Sequence, residues 1–258
     1  MSGGCMRSIL VTGSSGGIGA AVAQRFAEVG DRVAIHYSSN REGAEATRRA
    51  LPGAGHGLVS GDIGAPDGAK QIVDDTIDQL GAVDVLVSNA GVAPTAHNRH
   101  VIGETSYAEW TAAFRHMIDV NLLGAANVAW AVASHLINRG SPGAIVNIGS
   151  RGAFRGEPEH PAYAASKAGL HALGQSLAVS LAPHSISVTS VAPGFVATPR
   201  QLSKLDGPNG DALRAQSPFG RVGTADEIAA AVFWLASPEA AWCSGTIVDA
   251  NGASHLRS

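Results

Sequence analysis

The chain is poor in cysteine and has no long apolar run, and each shortage excludes a class of protein. Two cysteines in 258 residues, Cys5 and Cys243, cannot build the disulfide framework of a secreted domain. No run of about 18 apolar residues is available for a membrane span, and the apolar run that begins at Ile9 is too short for a signal sequence. We therefore expect a cytoplasmic protein with no membrane partner.

Charge is also scarce and nearly balanced. Charged side chains make up 15% of the chain, and 18 basic against 21 acidic groups leave a formal net charge of −3. No cluster of lysines and arginines is present that would follow a nucleic acid backbone. The cysteines and histidines show no metal-ligand spacing. We therefore expect no nucleic acid partner and no metal site.

Glycine, by contrast, is abundant. The chain has 32 glycines in 258 residues, about one in eight, where about 7% is usual. Because glycine lacks a Cβ, such an excess indicates tight turns or close backbone approaches. Hydrophobic residues make up 45% of the chain, which is a globular rather than a disordered composition.

Short apolar runs alternate with longer amphipathic segments along the whole sequence. Runs that are apolar almost throughout, such as 144–148, are typical of strands buried on both faces of a parallel sheet. Repeated strand–helix alternation predicts an α/β fold with a doubly wound sheet, in a single domain over residues 1–258. The strand candidates are Ile9–Val11, Arg32–Tyr37, Gly57–Ser60, Val83–Ser88, Ala144–Ile148, Ile186–Val191 and Thr246–Asp249. The helix candidates lie near 17–29, 41–50, 67–80, 106–138, 161–182 and 224–236.

One long segment, residues 195–223, shows no regular pattern and is rich in proline and glycine. Irregular segments of this length in compact domains are usually functional lids or disordered loops. We predict a substrate lid, and a mobile surface insertion is the alternative.

A glycine-rich turn follows the first strand candidate and opens a helix pattern. It runs Thr12-Gly13-Ser14-Ser15-Gly16-Gly17-Ile18-Gly19. Glycines let the backbone approach a diphosphate, whose charge is stabilised by the N–H groups and dipole of the following helix. A tight corner without a ligand would use similar residues, but the position directly after the first strand favours dinucleotide binding. No Gly-Lys-Ser/Thr follows, which excludes a Walker phosphate loop.

The end of the second strand candidate indicates which dinucleotide is bound. An acid there would bond the ribose 2′-hydroxyl of NAD, whereas basic and hydroxyl side chains accommodate the 2′-phosphate of NADP. Asp31 lies at the opposite end of the strand, and Glu42 is the first acid after it. We therefore predict NADP(H), with NAD(H) as the alternative, although a polar turn that caps the next helix would look the same. The residues at this end are Ser38, Ser39, Asn40 and Arg41.

Tyr163 and Lys167 lie four residues apart in a helix pattern, which places them on one helix face. A phenol has a pKa near 10, and a neighbouring ammonium stabilises the phenolate and lowers that pKa. Ser150 follows the preceding strand, where its hydroxyl can reach the same reacting oxygen. Tyr-x3-Lys alone is common, but its combination with the glycine turn and Ser150 predicts an acid–base site.

With these motifs the chain resembles the short-chain dehydrogenase/reductase family over essentially its whole length, including members similar to 3-oxoacyl-acyl-carrier-protein reductases. The resemblance implies a Rossmann-type, seven-stranded parallel sheet in the order 3-2-1-4-5-6-7 with helices on both faces. It also implies hydride transfer between a nicotinamide and a carbonyl or secondary alcohol. The matching motifs are Thr12-Gly13-x3-Gly17-x-Gly19, Asp62-Ile63, Asn89-Ala90-Gly91, Asn121, Ser150, Tyr163-x3-Lys167 and Pro193-Gly194 with Thr198.

The resemblance also implies roles for single residues. Tyr163 is the general acid–base, Lys167 lowers its pKa and holds the nicotinamide ribose, and Ser150 orients the substrate oxygen. Asn121 holds a water that relays protons between Lys167 and solvent. The further cofactor contacts that it implies are Thr12, Gly13, Ser15, Gly17, Ile18, Gly19, Asp62, Ile63, Asn89, Ala90, Gly91, Pro193, Gly194, Val196 and Thr198.

Some positions depart from the family's pattern or are open to two interpretations. Gly16 stands where NADP-preferring relatives often carry a basic residue, which leaves Arg41 as the main positive group near the phosphate. Ala250-Asn251-Gly252 replaces the usual glycine pair after the last strand, and alters either a subunit contact or the floor of the substrate pocket. Arg151 and Arg155 are open to two interpretations: they recognise an anionic substrate, or they face solvent or bridge two subunits.

The sequence thus predicts an NADP(H)-dependent carbonyl reductase or alcohol dehydrogenase with a small-molecule substrate, acyl-carrier-bound forms included. A non-catalytic nucleotide-binding regulator or scaffold is the alternative from another class, and the full set of four catalytic candidates disfavours it. An enoyl reductase would space the tyrosine and lysine more widely. The resemblance further implies a homotetramer.

Overall fold

A computed structural model describes residues 6–257, so Cys5 lies outside the described residues. The strands are β1 (Ser8–Val11), β2 (Arg32–Tyr37), β3 (Gly57–Ser60), β4 (Val85–Ser88), β5 (Gly143–Ile148), β6 (Ile186–Pro193), β7 (Val196–Ala197), β8 (Gly223–Thr224) and β9 (Ile247–Ala250). The helices are α1 (Gly17–Ala27), α2 (Arg41–Ala50), α3 (Pro66–Leu80), α4 (Tyr107–Ile118), α5 (Ala125–Arg139), α6 (Gly152–Arg155), α7 (Pro161–Leu181), α8 (Leu202–Leu205), α9 (Gly210–Arg214) and α10 (Ala225–Leu235).

The main sheet has seven parallel strands in the order β3-β2-β1-β4-β5-β6-β9. This confirms the predicted order, with β9 as the seventh strand. Side chains alternate between the two faces of each strand. Ile9 and Val11 of β1 therefore join an apolar layer with α1 and α10, whereas Leu10 joins a second layer with α3, α5 and α7. The predicted doubly wound fold, with helices on both faces, is confirmed.

The helical stretch predicted near 106–138 changes its winding in the middle. α4 ends at Ile118, a π-helical segment covers Asp119–Gly124, and α5 begins at Ala125. Such wide turns inside helices occur frequently at functional sites. This one places the Asn121 side chain in the interior, where the residue is only 1% exposed. The predicted helical stretch is therefore present, and its π-helical middle was not predicted.

Among the described residues, one continuous helical stretch, Tyr107–Arg139, is long and apolar enough to cross a membrane. Half of its most apolar window is buried inside the fold. α5 contributes Val128, Val132 and Leu136 to the apolar layer shared with α3 and α7. The apolar character of this stretch is therefore explained by its place in the core.

Residues 195–223, predicted to be irregular, contain regular structure. β7 and β8 pair in parallel, with Val196 opposite Gly223, and so join the two ends of the segment. The short helices α8 and α9 lie between them. Lys204 donates from Nζ to the Pro94 carbonyl at 3.0 Å, which connects the segment to the loop after β4. The prediction of irregular chain was wrong because helices of four and five residues leave no periodic signal.

Candidate active site

The predicted site residues gather at the carboxyl ends of the central strands. The chain leaves β1 towards β2 on one side, while β4 pairs with β1 on the other side. A crevice opens at such a change of direction, and ligands of open α/β sheets bind there. The glycine turn follows β1, and the other motifs follow β3, β4, β5 and β6.

The glycine turn brings bare backbone into the crevice. Gly13 has a φ of +65°, and a Cβ there would lie 2.8 Å from Ala90 Cα. A Cβ at Gly19 would lie 2.6 Å from Asn89 Nδ2. α1 begins at Gly17 with no side-chain cap and no acidic residue in its first turn. Its N–H groups and the positive end of its dipole therefore fit a phosphate group.

Asn89 holds this turn from the neighbouring strand. Its Nδ2 donates to the Thr12 carbonyl at 2.9 Å and to the Gly13 carbonyl at 3.0 Å. The backbone N–H groups of Asn89 and Ala90 both donate to Thr12 Oγ1, at 2.9 and 3.0 Å. These four hydrogen bonds join the end of β1 to the end of β4.

The sequence analysis did not identify His36, which supports the turn from the side of β2. His36 Nδ1 accepts a hydrogen bond from the Gly13 N–H at 2.9 Å, so the ring proton lies on Nε2, which is 3.1 Å from the Gly61 carbonyl oxygen. Burial lowers the pKa of His36 and keeps the ring neutral, as this acceptor role requires. A histidine near the end of an otherwise apolar strand, 33–36, was the available signal.

The residues predicted to hold a 2′-phosphate lie exposed at the end of β2. The Asn40 side chain caps α2, as one of the two interpretations of this turn required. Arg41 Nε donates to Glu45 Oε1 at 2.8 Å, which raises the pKa of Arg41 and lowers that of Glu45. A phosphate here would therefore meet the hydroxyls of Ser38 and Ser39 and would share Arg41 with a carboxylate.

The adenine side of the crevice is bordered by the residues after β3 and by the start of α2. Asp62 is exposed, and its Oδ1 accepts a hydrogen bond from the Gly64 N–H at 2.9 Å. Ile63 is buried. Ser15 approaches α2 closely, since a Cβ at Gly43 would lie 2.5 Å from the Ser15 carbonyl oxygen.

Ser150 and Tyr163 come together beyond the end of β5. Ser150 Oγ accepts a hydrogen bond from the Gly152 N–H at 3.0 Å. Tyr163 lies in the first turn of α7. Burial raises the pKa of Tyr163, and a hydrogen bond with Ser150 opposes that rise. The phenol therefore keeps its proton at neutral pH, which suits proton donation to a developing alkoxide.

Lys167 lies one helical turn beyond Tyr163, as the spacing predicted. Its Nζ donates to the Ile148 carbonyl at 2.8 Å, and burial lowers its pKa to about 8. The predicted lowering of the Tyr163 pKa by Lys167 does not occur in this structure. The reason is that burial of the phenol dominates, while the ammonium bonds to a carbonyl of β5 instead.

Asn121 reaches the same region from the π-helical segment. Its Oδ1 accepts from the Val92 N–H at 2.7 Å, and its Nδ2 donates to Ser166 Oγ at 3.0 Å. A Cβ at Gly91 would lie 3.0 Å from Asn121 Oδ1 and 3.6 Å from Lys167 Nζ. Both side chains therefore border one space, as the predicted proton relay requires.

The segment after β6 lies across the start of α1. β6 ends at Pro193, and the Gly194 N–H donates to a carbonyl of β9 at 3.1 Å. Thr198 approaches the glycine turn, because a Cβ at Gly17 would lie 3.4 Å from Thr198 Cγ2. Ile18 packs against the apolar layer of α1 and α10. The structure thus places Thr198 beside the glycine turn, while the predicted contact of this segment with the nicotinamide end of a cofactor stays a prediction.

Comparison with known proteins gives consistent matches along the chain. A family model described as enoyl-(acyl carrier protein) reductase matches residues 13–255. A 3β-hydroxysteroid dehydrogenase of Eggerthella lenta is 35% identical over 253 residues, which are 97% of this chain and 94% of the relative. A 3-oxoacyl-(acyl-carrier-protein) reductase, FabG, of Staphylococcus epidermidis is 32% identical over 252 residues, 97% of this chain and 99% of the relative.

A solved structure also matches. A short chain dehydrogenase from Burkholderia cenocepacia J2315 in complex with NADP has a TM-score of 0.85 and 31% identity, over 97% of this chain and 98% of that chain. The chain belongs to the short-chain dehydrogenase/reductase family. The resemblance predicted from the motifs is confirmed, and with it membership of an oxidoreductase family that acts on CH–OH and C=O groups.

The crevice of this short-chain dehydrogenase/reductase fits a dinucleotide. Gly13 and Gly19 leave space that a Cβ would fill, and this space gives room for a diphosphate. The uncapped start of α1 supplies the N–H donors for it. Within residues 6–257, no three His, Cys, Asp or Glu side chains are grouped so that they could hold a metal ion.

His171, which the sequence analysis also missed, lies behind the catalytic candidate Ser150. It stands one turn beyond Lys167 on α7, and its Nε2 accepts from the Ser150 N–H at 3.5 Å. Its ring stacks on Phe154 at a centroid distance of 5.1 Å, and burial lowers its pKa to about 4. A Cβ at Gly149 would lie 2.1 Å from the imidazole, so this glycine leaves the ring its space. The four-residue spacing from Lys167 was the visible signal.

Proposed function

We propose that the chain is an NADP(H)-dependent carbonyl reductase or alcohol dehydrogenase whose small-molecule substrates include acyl-carrier-bound forms. The observation that carries this proposal is the meeting of Ser150, Tyr163 and Lys167 at the end of β5, across the crevice from the uncapped start of α1. The names of two relatives, a hydroxysteroid dehydrogenase and an oxoacyl reductase, support the same class of reaction.

The roles of the residues follow from their protonation and contacts. A bound nicotinamide would supply or accept the hydride. In reduction Tyr163, which burial keeps protonated, donates its phenolic proton to the substrate oxygen. Ser150 donates a hydrogen bond to the same oxygen and so fixes its position. Lys167, whose pKa burial lowers to about 8, exchanges protons through the space shared with Asn121.

The preference for NADP(H) over NAD(H) rests on the end of β2. No acid lies between the strand and Glu42, while two serine hydroxyls and Arg41 are exposed there. The NADP complex of the Burkholderia relative supports this choice. The pairing of Arg41 with Glu45 weakens the attraction for a 2′-phosphate, so we expect a modest preference.

We also propose that residues 195–223 act as a substrate lid within a single domain over 1–258. The β7–β8 pair joins the two ends of the segment, and α8 and α9 project between them. The hydrogen bond from Lys204 to Pro94 supports closure over the substrate side of the crevice.

A cytoplasmic homotetramer completes the proposal. α5 and α7 leave apolar side chains exposed, with Trp130 at 67% and Val179 at 79%, and Trp242 near the last strand is fully exposed. Exposed apolar side chains of this size support an interface between subunits. Analytical ultracentrifugation should give the mass of four chains, and a monomer at micromolar concentration would contradict the assembly.

The variant Tyr163→Phe tests the proposed chemistry. It removes the transferable proton and keeps the ring, so we expect unchanged NADPH affinity and a carbonyl reductase rate reduced by roughly 10²- to 10⁴-fold. NADPH fluorescence titration measures the first quantity, and consumption of NADPH at 340 nm the second. A variant that turns over within twofold of the parent would exclude Tyr163 from the role.

Reduction of an enoyl thioester is the second candidate, because the matching family model carries that description. An enoyl reductase of this family would space the tyrosine and lysine more widely, so the four-residue spacing of Tyr163 and Lys167 favours reduction of a carbonyl group. Parallel assays with 3-oxoacyl and 2-enoyl thioesters of one chain length separate the two reactions. Consumption of NADPH with the enoyl thioester alone would replace the proposed function.

A further inference from the structure

Arg151 is a buried cation that pairs with no carboxylate of residues 6–257. It follows Ser150 directly, its N–H donates to the Pro193 carbonyl at 3.1 Å, and the residue is only 6% exposed. Its Nη2 donates to Gln216 Oε1, while Nη1 is buried and has no hydrogen-bond partner in the part of the chain that the structure describes. Among residues 6–257, the acid that contributes to its electrostatics, Glu157, pairs instead with Arg155.

This arrangement is unfavourable unless an anion completes it. Buried charges in proteins are normally paired, because removal of a charge from water costs several kcal/mol. Burial, and repulsion from Arg155, lower the pKa of the Arg151 guanidinium, which shows the same unfavourable balance. A neutral partner such as Gln216 satisfies one nitrogen and compensates no charge.

Arg151 lines a cavity of about 230 Å³, together with Phe195 of the segment after β6. The cavity is bounded by Gln216 of the proposed lid and by Asn251 after β9, the residue that replaces a glycine of the family pattern. The acidic groups on its wall are occupied: Glu227 binds Arg221 at 2.6 Å. Asp249 is likewise bound by an arginine, at 2.6 Å.

The size of the cavity limits its occupant. Sites for drug-sized ligands measure about 300–1,000 Å³, so 230 Å³ suits a small group. A guanidinium binds a carboxylate through two parallel N–H···O bonds, and Nη1 of Arg151 has no hydrogen-bond partner among the described residues.

We propose that Arg151 and Gln216 form a carboxylate-binding subsite, and that the substrates of this chain are short oxo acids and the corresponding hydroxy acids. This rests on the proposed carbonyl reduction, because Arg151 directly follows Ser150, which orients the carbonyl oxygen in that proposal. Acetoacetate, for example, would be reduced to 3-hydroxybutanoate by one hydride from NADPH and one proton from Tyr163.

The test compares acetoacetate with acetoacetamide, which has the same shape and no charge. For the parent we expect a higher kcat/KM with acetoacetate. Arg151→Met keeps an unbranched apolar stem and removes the guanidinium with its charge, so it should reduce that selectivity by roughly 10- to 100-fold. Arg155→Met, the matched control, should keep the selectivity of the parent because that arginine already has a carboxylate partner.

Two further measurements separate this inference from the proposed function. Calorimetric titration with acetoacetate should show binding to the parent and to Arg155→Met and none to Arg151→Met, whether or not turnover occurs. The melting temperature of Arg151→Met should equal or exceed that of the parent, since an uncompensated buried charge is removed. Equal kcat/KM for the two compounds together with binding that does not depend on Arg151 would overturn the subsite, while NADPH-dependent reduction of both would leave the proposed function intact.

Discussion

The cofactor side and the substrate side of the crevice are built from different chemical groups. On the cofactor side, backbone groups of the glycine turn border the crevice, and half-buried Asn89 and buried His36 hold them in place. On the substrate side, the surface consists of side chains such as Arg151 and Gln216, contributed by segments far apart in sequence. The cofactor side is therefore rigid and recognisable from short motifs, whereas selection on the substrate side depends on the complete fold.

The largest effect should come from filling the glycine cradle. Gly13→Ala places a Cβ 2.8 Å from Ala90 Cα at a left-handed φ of +65°, so we expect a loss of about 4 kcal/mol of stability and of most NADPH affinity. Gly16→Ala is the matched control, because nothing lies within 4 Å of its Cβ position and its φ of 166° is extended. Chemical denaturation and NADPH titration measure both variants. Equal stability and equal NADPH affinity of the two variants would contradict the distinction between the cofactor side and the substrate side.

The next largest effect should come from protonation of His171, which lies behind the catalytic candidate Ser150. The pKa of His171 is lowered from 6.5 to about 4, so its neutral form is favoured in the folded chain. The resulting stability is complete above pH 6.5 and is lost as the pH falls towards 4, by up to about 3 kcal/mol.

Urea unfolding of the parent and of His171→Leu at pH 7 and pH 4.5 measures this contribution. The parent should lose more stability on acidification than the variant does. Identical losses would show that His171 does not titrate with the expected sign.

Cofactor choice should respond to a single exposed residue on the otherwise backbone-defined side. Ser38→Asp places a carboxylate at the end of β2, where it repels a 2′-phosphate and accepts a hydrogen bond from a ribose hydroxyl. We expect the ratio of NADPH to NADH affinity to fall about tenfold, and Ser39→Ala serves as a control for the loss of a hydroxyl. An unchanged ratio would place the 2′-phosphate elsewhere.

The smallest effect should come from the lid. Lys204→Met removes the exposed hydrogen bond to the Pro94 carbonyl, which is worth little in stability because water replaces it. We expect KM for the carbonyl substrate to rise roughly two- to threefold, with NADPH affinity unchanged. A change in NADPH affinity as large as the change in KM would contradict the separation of the two sides.

The comparison also explains how much could be predicted from the sequence. The strand–helix alternation, the glycine turn and the placement of Tyr163 and Lys167 on one helix face were predictable from local spacing. The strand order was predicted from the family resemblance. The π-helical segment at 119–124 was not, because one residue of extra width does not change a 3.6-residue pattern visibly. The direction of the Tyr163 pKa shift was wrong, since desolvation depends on neighbours that only the fold supplies.

Contacts between buried polar groups far apart in sequence were also not predictable. His36 and His171 contact the glycine turn and Ser150 through hydrogen bonds that span more than twenty residues. Arg151 meets Gln216 across 65 residues. No periodic pattern or short motif predicts such contacts, because they depend on how distant segments pack.

Titration of the purified chain with NADPH and NADH tests the central claim most directly. The nicotinamide fluorescence should rise and saturate at one cofactor per chain, with tighter binding of NADPH than of NADH. Tighter NADH binding would contradict the proposed 2′-phosphate contacts, while the proposal of an oxidoreductase would stand. Binding of neither cofactor would contradict the account as a whole, because the glycine turn would then be a structural corner and the chain a scaffold without hydride chemistry.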